Sequence, residues 1–233
     1  MAENVLKISG LNAWYGESHV LHGVDLSVDK GEVVTLLGRN GAGRTSTLRS
    51  ILGLTGRRAG SIVVNGTETV AMSTYKIAHL GIGYCPEERA IFSSLSVEEN
   101  LMLPPKVGEG GMSIDEIYEM FPNLRERRKT AQGTKLSGGE QQMLAMARIL
   151  RTGAHLLLLD EITEGLAPVI VQALGRIIVK LKERGFTIVL VEQNFRFAAP
   201  LADRHYVMEH GKIAVSFPAA ELQSRMDMLH EYL

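Results

Sequence analysis

Short, almost wholly apolar runs punctuate this chain at Val33–Leu37, Gly83–Cys85, Leu156–Asp160 and Thr187–Val191. Helix-period segments separate them, so the pattern predicts an α/β fold with a mainly parallel core sheet. Three further runs, Val5–Ile8, Val24–Val28 and Ser61–Val64, predict strands of a separate antiparallel layer. The last of them closes on the turn pair Asn65-Gly66.

Between Pro86 and His155 the strand signals vanish. Val97–Leu103, Ser113–Arg128 and Gly138–Arg151 carry helical periodicity, and Ser96-Val97-Glu98-Glu99 and Ser113-Ile114-Asp115-Glu116 read as capping boxes. The stretch from Pro104 to Gly111 is a loop. The expected organisation is an α/β core of residues 1–86 and 156–233, with a helical lobe of residues 87–155 inserted into it.

Composition narrows the class. With 233 residues, 45% hydrophobic and 22% charged, the chain is long enough for a large core. Its 25 basic and 26 acidic residues nearly cancel, so nothing in the net charge points to a nucleic-acid partner. Met1-Ala2-Glu3-Asn4 lacks the basic and apolar regions of a signal peptide. The longest uncharged stretch, Gly165 to Gly175, is far below the roughly 20 apolar residues of a membrane span. A single cysteine, Cys85, excludes an internal disulfide. These features predict a cytosolic protein whose contact with a membrane comes through partners.

Gly38-Arg39-Asn40-Gly41-Ala42-Gly43-Arg44-Thr45 matches the phosphate-cradling P-loop, G-x-x-x-x-G-K-[ST], except that Arg44 stands where the pattern has lysine. An apolar strand precedes it and a helix-period segment through Leu48, Ile51 and Leu52 follows. Glycines let backbone N–H groups turn inward on an anion, at a helix start whose dipole favours one. Gly38, Asn40, Gly41, Ala42, Gly43, Arg44, Thr45 and Ser46 are therefore the expected nucleotide-binding residues. The run Leu156–Leu159 ends in Asp160-Glu161. Asp160 suits a magnesium ion together with Thr45, and Glu161 could orient an attacking water or take its proton. Leu136-Ser137-Gly138-Gly139-Glu140-Gln141-Gln142 opens the helix that follows it. Taken alone, Ser137 and its glycines are an ordinary N-cap; the full string is more specific, a second anion site.

With these motifs in one chain, the sequence resembles the ATP-binding subunits of ABC transporters, from about Leu6 to the C-terminus. The resemblance implies ATP and Mg2+ as ligands and a P-loop NTPase core with an antiparallel β layer and an inserted helical subdomain. Ser137, Gly138, Gly139 and Glu140 would then contact the γ-phosphate held by the opposite subunit of a dimer. Tyr15, in Trp14-Tyr15-Gly16, falls at the adenine-stacking position, although a core tyrosine is an equal alternative on its own. Glu164-Gly165-Leu166-Ala167 sits at the D-loop, which crosses the dimer interface. Asp160 and Glu161 match the Walker B aspartate and catalytic glutamate. The implied partners are a second ATPase subunit, identical or not, two membrane-spanning permease subunits and, indirectly, a periplasmic binding protein.

Three details point to one branch. Glu87 occupies the Q-loop position where most members have glutamine, and its oxygens can still bind magnesium as a glutamine carbonyl would. Gln193, in Val191-Glu192-Gln193-Asn194, takes the switch position usually held by histidine. With the segments Asp160–Pro168 and Leu201–Met208, these resemble the LivF-type subunits that energise uptake of branched-chain or other hydrophobic amino acids; urea and amide uptake ATPases share much of the pattern. Ile162, in place of the proline usual after the Walker B pair, reads as a tolerated packing change. Gln193 can donate an amide N–H but cannot take a proton near neutral pH, leaving Glu161 as the general-base candidate. Arg44 keeps the charge of a lysine but not its shape, so Arg44→Lys should change turnover more than affinity. Alternatively, its guanidinium pairs with Glu87.

Other candidates have plainer readings. Arg125, Arg127, Arg128 and Lys129 end a helix and read as a solvated face. Met143 and Met146 read as packing. His79, His155 and His205 show no metal-ligand spacing. After Pro86, Ala90-Ile91-Phe92-Ser93-Ser94-Leu95 is apolar in what should be a surface loop, so Glu87 to Asn100 would line a groove at the junction of the lobes, with Ile91, Phe92 and Leu95 in its apolar lining, where the family receives a helix of the membrane partner. Two classes remain: a transport motor, or a nucleotide-dependent scaffold whose hydrolysis is weak because of Arg44. The soluble translation-factor type carries two ATP sites, whereas this chain carries one set of motifs.

Overall fold

The computed structural model describes residues 3–129 and 132–232. Met1, Ala2, Thr130, Ala131 and Leu233, which fall within the stretches assigned above to a start region, the helical lobe and the core, lie outside the described residues. Strands β1 (Asn4–Tyr15), β2 (Ser18–Asp29), β4 (Arg57–Val64) and β5 (Thr67–Glu68) form an antiparallel sheet of order β2-β1-β4-β5. The second sheet contains β3 (Val33–Leu37), β6 (Ile82–Cys85), β7 (Leu156–Asp160), β8 (Thr187–Val191), β9 (Arg204–Glu209) and β10 (Lys212–Pro218). Its order is β10-β9-β3-β8-β7-β6, parallel throughout except for β10 at one edge.

Both faces of that sheet are buried, which is why its strands read as continuous apolar runs. Leu157 and Leu159 of β7 with Ile188 and Leu190 of β8 enter one core, while Leu156, Leu158, Val189 and Val191 enter the other. The second core is roofed by the antiparallel sheet through Leu6, Ile8, Leu26 and Ile62, and by Leu48 and Ile51 of α1 (Arg44–Ile51). A short helix, α2 (Thr74–Ala78), closes its rim with Ile77.

The first core is covered by helices that lie between β6 and β7 in the chain: α3 (Val97–Met102), α4 (Ile114–Met120), α5 (Pro122–Glu126) and α6 (Gly138–Leu150). Long α7 (Pro168–Glu183), short α8 (Phe195–Ala198) and the final α9 (Met226–Tyr232) complete it. Met143 and Met146 are buried there as packing. The capping boxes at Ser96 and Ser113 form with both reciprocal bonds, and Ser137 builds a third with Glu140.

Two expectations are corrected. The helix expected over Ser113–Arg128 is two helices, because Pro122 has no N–H to continue α4 and instead starts α5 at its first position. The parallel sheet has one more strand than expected, β9, and an antiparallel neighbour, β10, joined to it by the positive-φ pair His210-Gly211. Among the described residues, no helix is long and apolar enough to cross a membrane.

Candidate functional site

Because β3, β6, β7 and β8 run parallel, their C-terminal ends meet at one edge of the sheet, where ligands of open α/β sheets bind. The P-loop leaves β3 there, Pro86-Glu87 leaves β6, Asp160-Glu161 ends β7 and Glu192-Gln193 follows β8. A cleft of about 460 Å3 opens at this edge, lined by Asn40, Gly41, Gly43, Arg44, Thr45, Ser46, Val20, Glu87, Glu161 and Glu164. A larger cleft between α7 and α8, floored by Gly175, Val179 and Phe197, contains none of the phosphate-binding motif.

The P-loop glycines are required by geometry. Gly38 sits at φ 143°, and a Cβ there would come within 2.4 Å of the Met208 carbonyl oxygen. Gly43, at φ 108°, caps α1 and leaves the first N–H groups of that helix free for an anion. Gly38 and Ala42 are buried beneath the cleft and do not line it.

Asp160 is 1% exposed and held from two sides. Thr45 Oγ1 donates to Oδ1 at 3.1 Å and the Tyr84 hydroxyl donates to Oδ2 at 3.0 Å. Burial raises its carboxyl above the ordinary range, and these two hydrogen bonds oppose the shift. The Tyr84 phenol is raised in turn by burial and by Asp160. Neither Tyr84 nor its register opposite Leu158 is legible as a site feature in the sequence.

Glu161 follows at φ 46°, its N–H fixed to Val191 O at 2.9 Å. Arg44 Nη2 donates to Glu161 Oε1 at 2.7 Å and to Asn40 Oδ1 at 3.1 Å. The alternative pairing of Arg44 with Glu87 is therefore corrected: among the described residues its ion pair is with Glu161, which reaches it from the head of β7. Burial raises the Glu161 carboxyl, more than Arg44 lowers it. Glu87 instead lies with Glu161 and Glu164, carboxylate oxygens within 4.8 Å of one another, and is raised by burial and then by Glu164.

Gln193 is exposed and shares a neighbouring cavity of about 250 Å3 with Glu161, Glu164 and Glu192. Glu192 is 2% exposed, and burial pushes its carboxyl up to about 7. It accepts from the Thr163 N–H at 3.1 Å and from Thr163 Oγ1 at 2.9 Å, tying the end of β8 to the loop that carries Glu161. A lone carboxylate ending an apolar strand is the sequence signal for it.

Tyr15 is exposed at the end of β1, outside the cleft lining, and neighbouring Trp14 stacks on His19 under Arg57. Ser137, Gly138, Gly139 and Glu140 also lie outside that lining. Ser137 Oγ accepts from the Glu140 N–H at 3.2 Å, while Glu140 accepts from the Ser137 N–H at 2.7 Å and from Arg127 at 3.1 Å. The serine O–H proton stays free to donate. Of the basic group read as a solvated face, Arg127 thus has a specific partner.

The donor chemistry fits a nucleotide and a hard cation. Arg44 is 4% exposed, and its Nη1 is buried with no acceptor among the described residues, a donor suited to a phosphate oxygen. Thr45 and Asp160 present oxygens, the donor atoms that magnesium takes. Residues 21–164 match the family described as ABC transporter. The chain belongs to the ABC transporter family of ATPases.

Three ABC relatives illustrate its range. The protein is 41% identical to the high-affinity branched-chain amino acid transport ATP-binding protein BraG of Pseudomonas aeruginosa, over 98% of this chain and 99% of that one. It is 38% identical to the probable branched-chain amino acid transport ATP-binding protein LivF of Archaeoglobus fulgidus, over 94% of each. The lipopolysaccharide export ATP-binding protein LptB of Haemophilus influenzae is 32% identical over 99% of this chain and 97% of its own. In three dimensions, a solved ATP-binding subunit of an ABC transporter superposes with a TM-score of 0.81 at 27% identity, covering 97% of both chains.

Proposed function

We propose that this ABC ATPase binds and hydrolyses ATP to energise an importer of branched-chain or other hydrophobic amino acids. The observation that carries the substrate class is the 41% identity to BraG across nearly both whole chains. LptB, at 32%, supports an export role less well. In this reading residues 87–155 form the helical lobe, and the protein sits peripherally on the cytoplasmic face of the membrane. It works with two permease subunits and, through them, a periplasmic binding protein.

The α1 N-terminus, Asn40 to Ser46, holds the phosphates, with Tyr15 offered to adenine. Magnesium, when bound, would neutralise phosphate charge between Thr45, Asp160 and Glu87. Glu161 takes the proton of the attacking water, and its raised carboxyl makes it a better base than an ordinary glutamate. Gln193 orients through its amide N–H. Ser137 to Glu140 lie outside the P-loop cleft; in this reading they serve the cleft of a second ATPase subunit, as the family resemblance implies, making two ATP sites per dimer. A groove of about 350 Å3 lined by Pro86, Arg89, Ala90, Pro104 and Arg148 receives the permease. Ile91, Phe92 and Leu95, expected in that lining, are not in it; Phe92 is exposed beside it with Arg148 stacked 4.7 Å over its ring.

Hydrolysis by Glu161→Gln tests the chemistry. ATP binding should persist and turnover should nearly vanish, with a dimer accumulating in ATP. Sustained hydrolysis would place the base elsewhere. Leucine uptake into vesicles carrying this ATPase together with its permease subunits tests the substrate; no ATP-dependent uptake of any hydrophobic amino acid would overturn it.

A further inference from the structure

Arginine and lysine carry the same charge, so the presence of Arg44 has to be explained by shape. A lysine offers one nitrogen; a guanidinium offers two terminal nitrogens in a fixed plane. In this structure the two are used differently. Nη2 is saturated by Asn40 Oδ1 at 3.1 Å and Glu161 Oε1 at 2.7 Å. Nη1 is buried and has no acceptor among the described residues, on a side chain that lines the cleft.

Glu161 needs such a holder. Its backbone is pinned in the left-handed region, with its N–H on Val191 O, but its side chain has freedom of its own. Glu87 and Glu164 crowd it with like charge on the cleft side. The one cation paired with it among the described residues is Arg44, and the pair is well shielded, at 4% and 13% exposed. A shielded, charge-assisted bond of 2.7 Å fixes one carboxylate oxygen and leaves the other to accept a proton.

We infer that Arg44 is a positioning residue for Glu161: Nη2 orients the carboxylate that acts as base, and Nη1 is reserved for a phosphate oxygen. One planar group thereby sets the distance between base and phosphate, which a lysine nitrogen serving both partners would have to compromise. The inference rests on the reading of Glu161 as the base.

The test compares wild type, Arg44→Lys, Glu161→Asp and the double variant. Two readouts are used: equilibrium displacement of a fluorescent ATP analogue, and single-turnover hydrolysis. Melting of each protein without nucleotide is followed alongside. Glu161→Asp shortens the acid by one methylene, out of reach of the fork, while keeping a carboxylate. Arg44→Lys should lower the hydrolysis rate at least about tenfold with ATP affinity within about threefold. On the Glu161→Asp background the same change should add less than about twofold, because the contact is already lost. The melting temperatures should show the same non-additivity. Equal effects of Arg44→Lys on both backgrounds, or a loss confined to affinity, would overturn the inference while leaving Glu161 as the base. Full hydrolysis by Glu161→Gln would instead remove the base reading beneath it.

Discussion

Replacing Glu192 by glutamine should make this protein more stable at alkaline pH and leave it unchanged in acid. The carboxyl is 2% exposed and is raised from 4.5 to about 7, with burial as the leading cause. A folded-state value above the unfolded one means that the folded protein holds the proton more tightly. Stability is then complete below about 4.5 and declines as pH rises, until the loss is full above about 7. An acid moved that far costs about 3 kcal/mol once ionised. Glutamine keeps an acceptor for the Thr163 N–H, and the Thr163 hydroxyl can turn to accept from its amide. Each kcal/mol shifts the melting temperature of a chain this size by about 2–4 °C, so the variant should melt about 6–12 °C higher at about pH 8.5. At about pH 4 the two should coincide. Asp160, Glu161 and Glu87 titrate in both proteins, so the difference between the two melting curves isolates Glu192. A gap that does not change with pH would refute the reasoning, because burial of the charge would then not be its source.

Gly38→Ala forces a Cβ within 2.4 Å of the Met208 carbonyl oxygen and should cost about 4 kcal/mol or more in chemical denaturation. Gly41→Ala, at φ 81° in open space, should cost about 1–2 kcal/mol. Ser137→Ala removes the cap of α6 and should cost about 1 kcal/mol, read as a drop of about 2–4 °C in melting temperature. In an ATPase assay it should also impair turnover if, as proposed, the same hydroxyl serves a second subunit's site. Arg127→Ala breaks an ion pair exposed on the arginine side and should move stability by less than about 1 kcal/mol at physiological salt.

Local chemistry is legible in the sequence and long-range chemistry is not. The P-loop, the carboxylate pair after β7 and the Ser137 cap are each written within a few consecutive residues. Their fixed spacing is what marks Gly38, Asn40 to Ser46, Asp160 and Glu161 as candidates. The bonds Tyr84–Asp160 and Thr163–Glu192 are created by strands lying side by side, which no local pattern encodes. Arg44 illustrates the limit: its charge announces a partner, but choosing Glu161 over Glu87 depends on where β7 delivers its last residue. β9 and β10 escape a local reading because the charged residues Arg204, Glu209 and Lys212 bound them closely, leaving only the short run His205–Met208 to signal β9. Pro122 is plain in the sequence, and its power to split a helix outweighs the periodicity around it.

The strand order also has a consequence for how the protein is made. β3, which launches the P-loop, pairs with β8 and β9, and its Thr35 is bonded to His205 at a chain separation of 170 residues. At about 5–20 residues per second, the ribosome emits β3 about 10–30 s before its last neighbour appears. Both of its edges, flanked by apolar side chains, stay open to other nascent chains until β8 appears, and the β9 edge stays open to the end of that interval. The phosphate cradle therefore forms among the last features during synthesis, and chains that stall before β9 should be sticky species that chaperones hold and proteases clear.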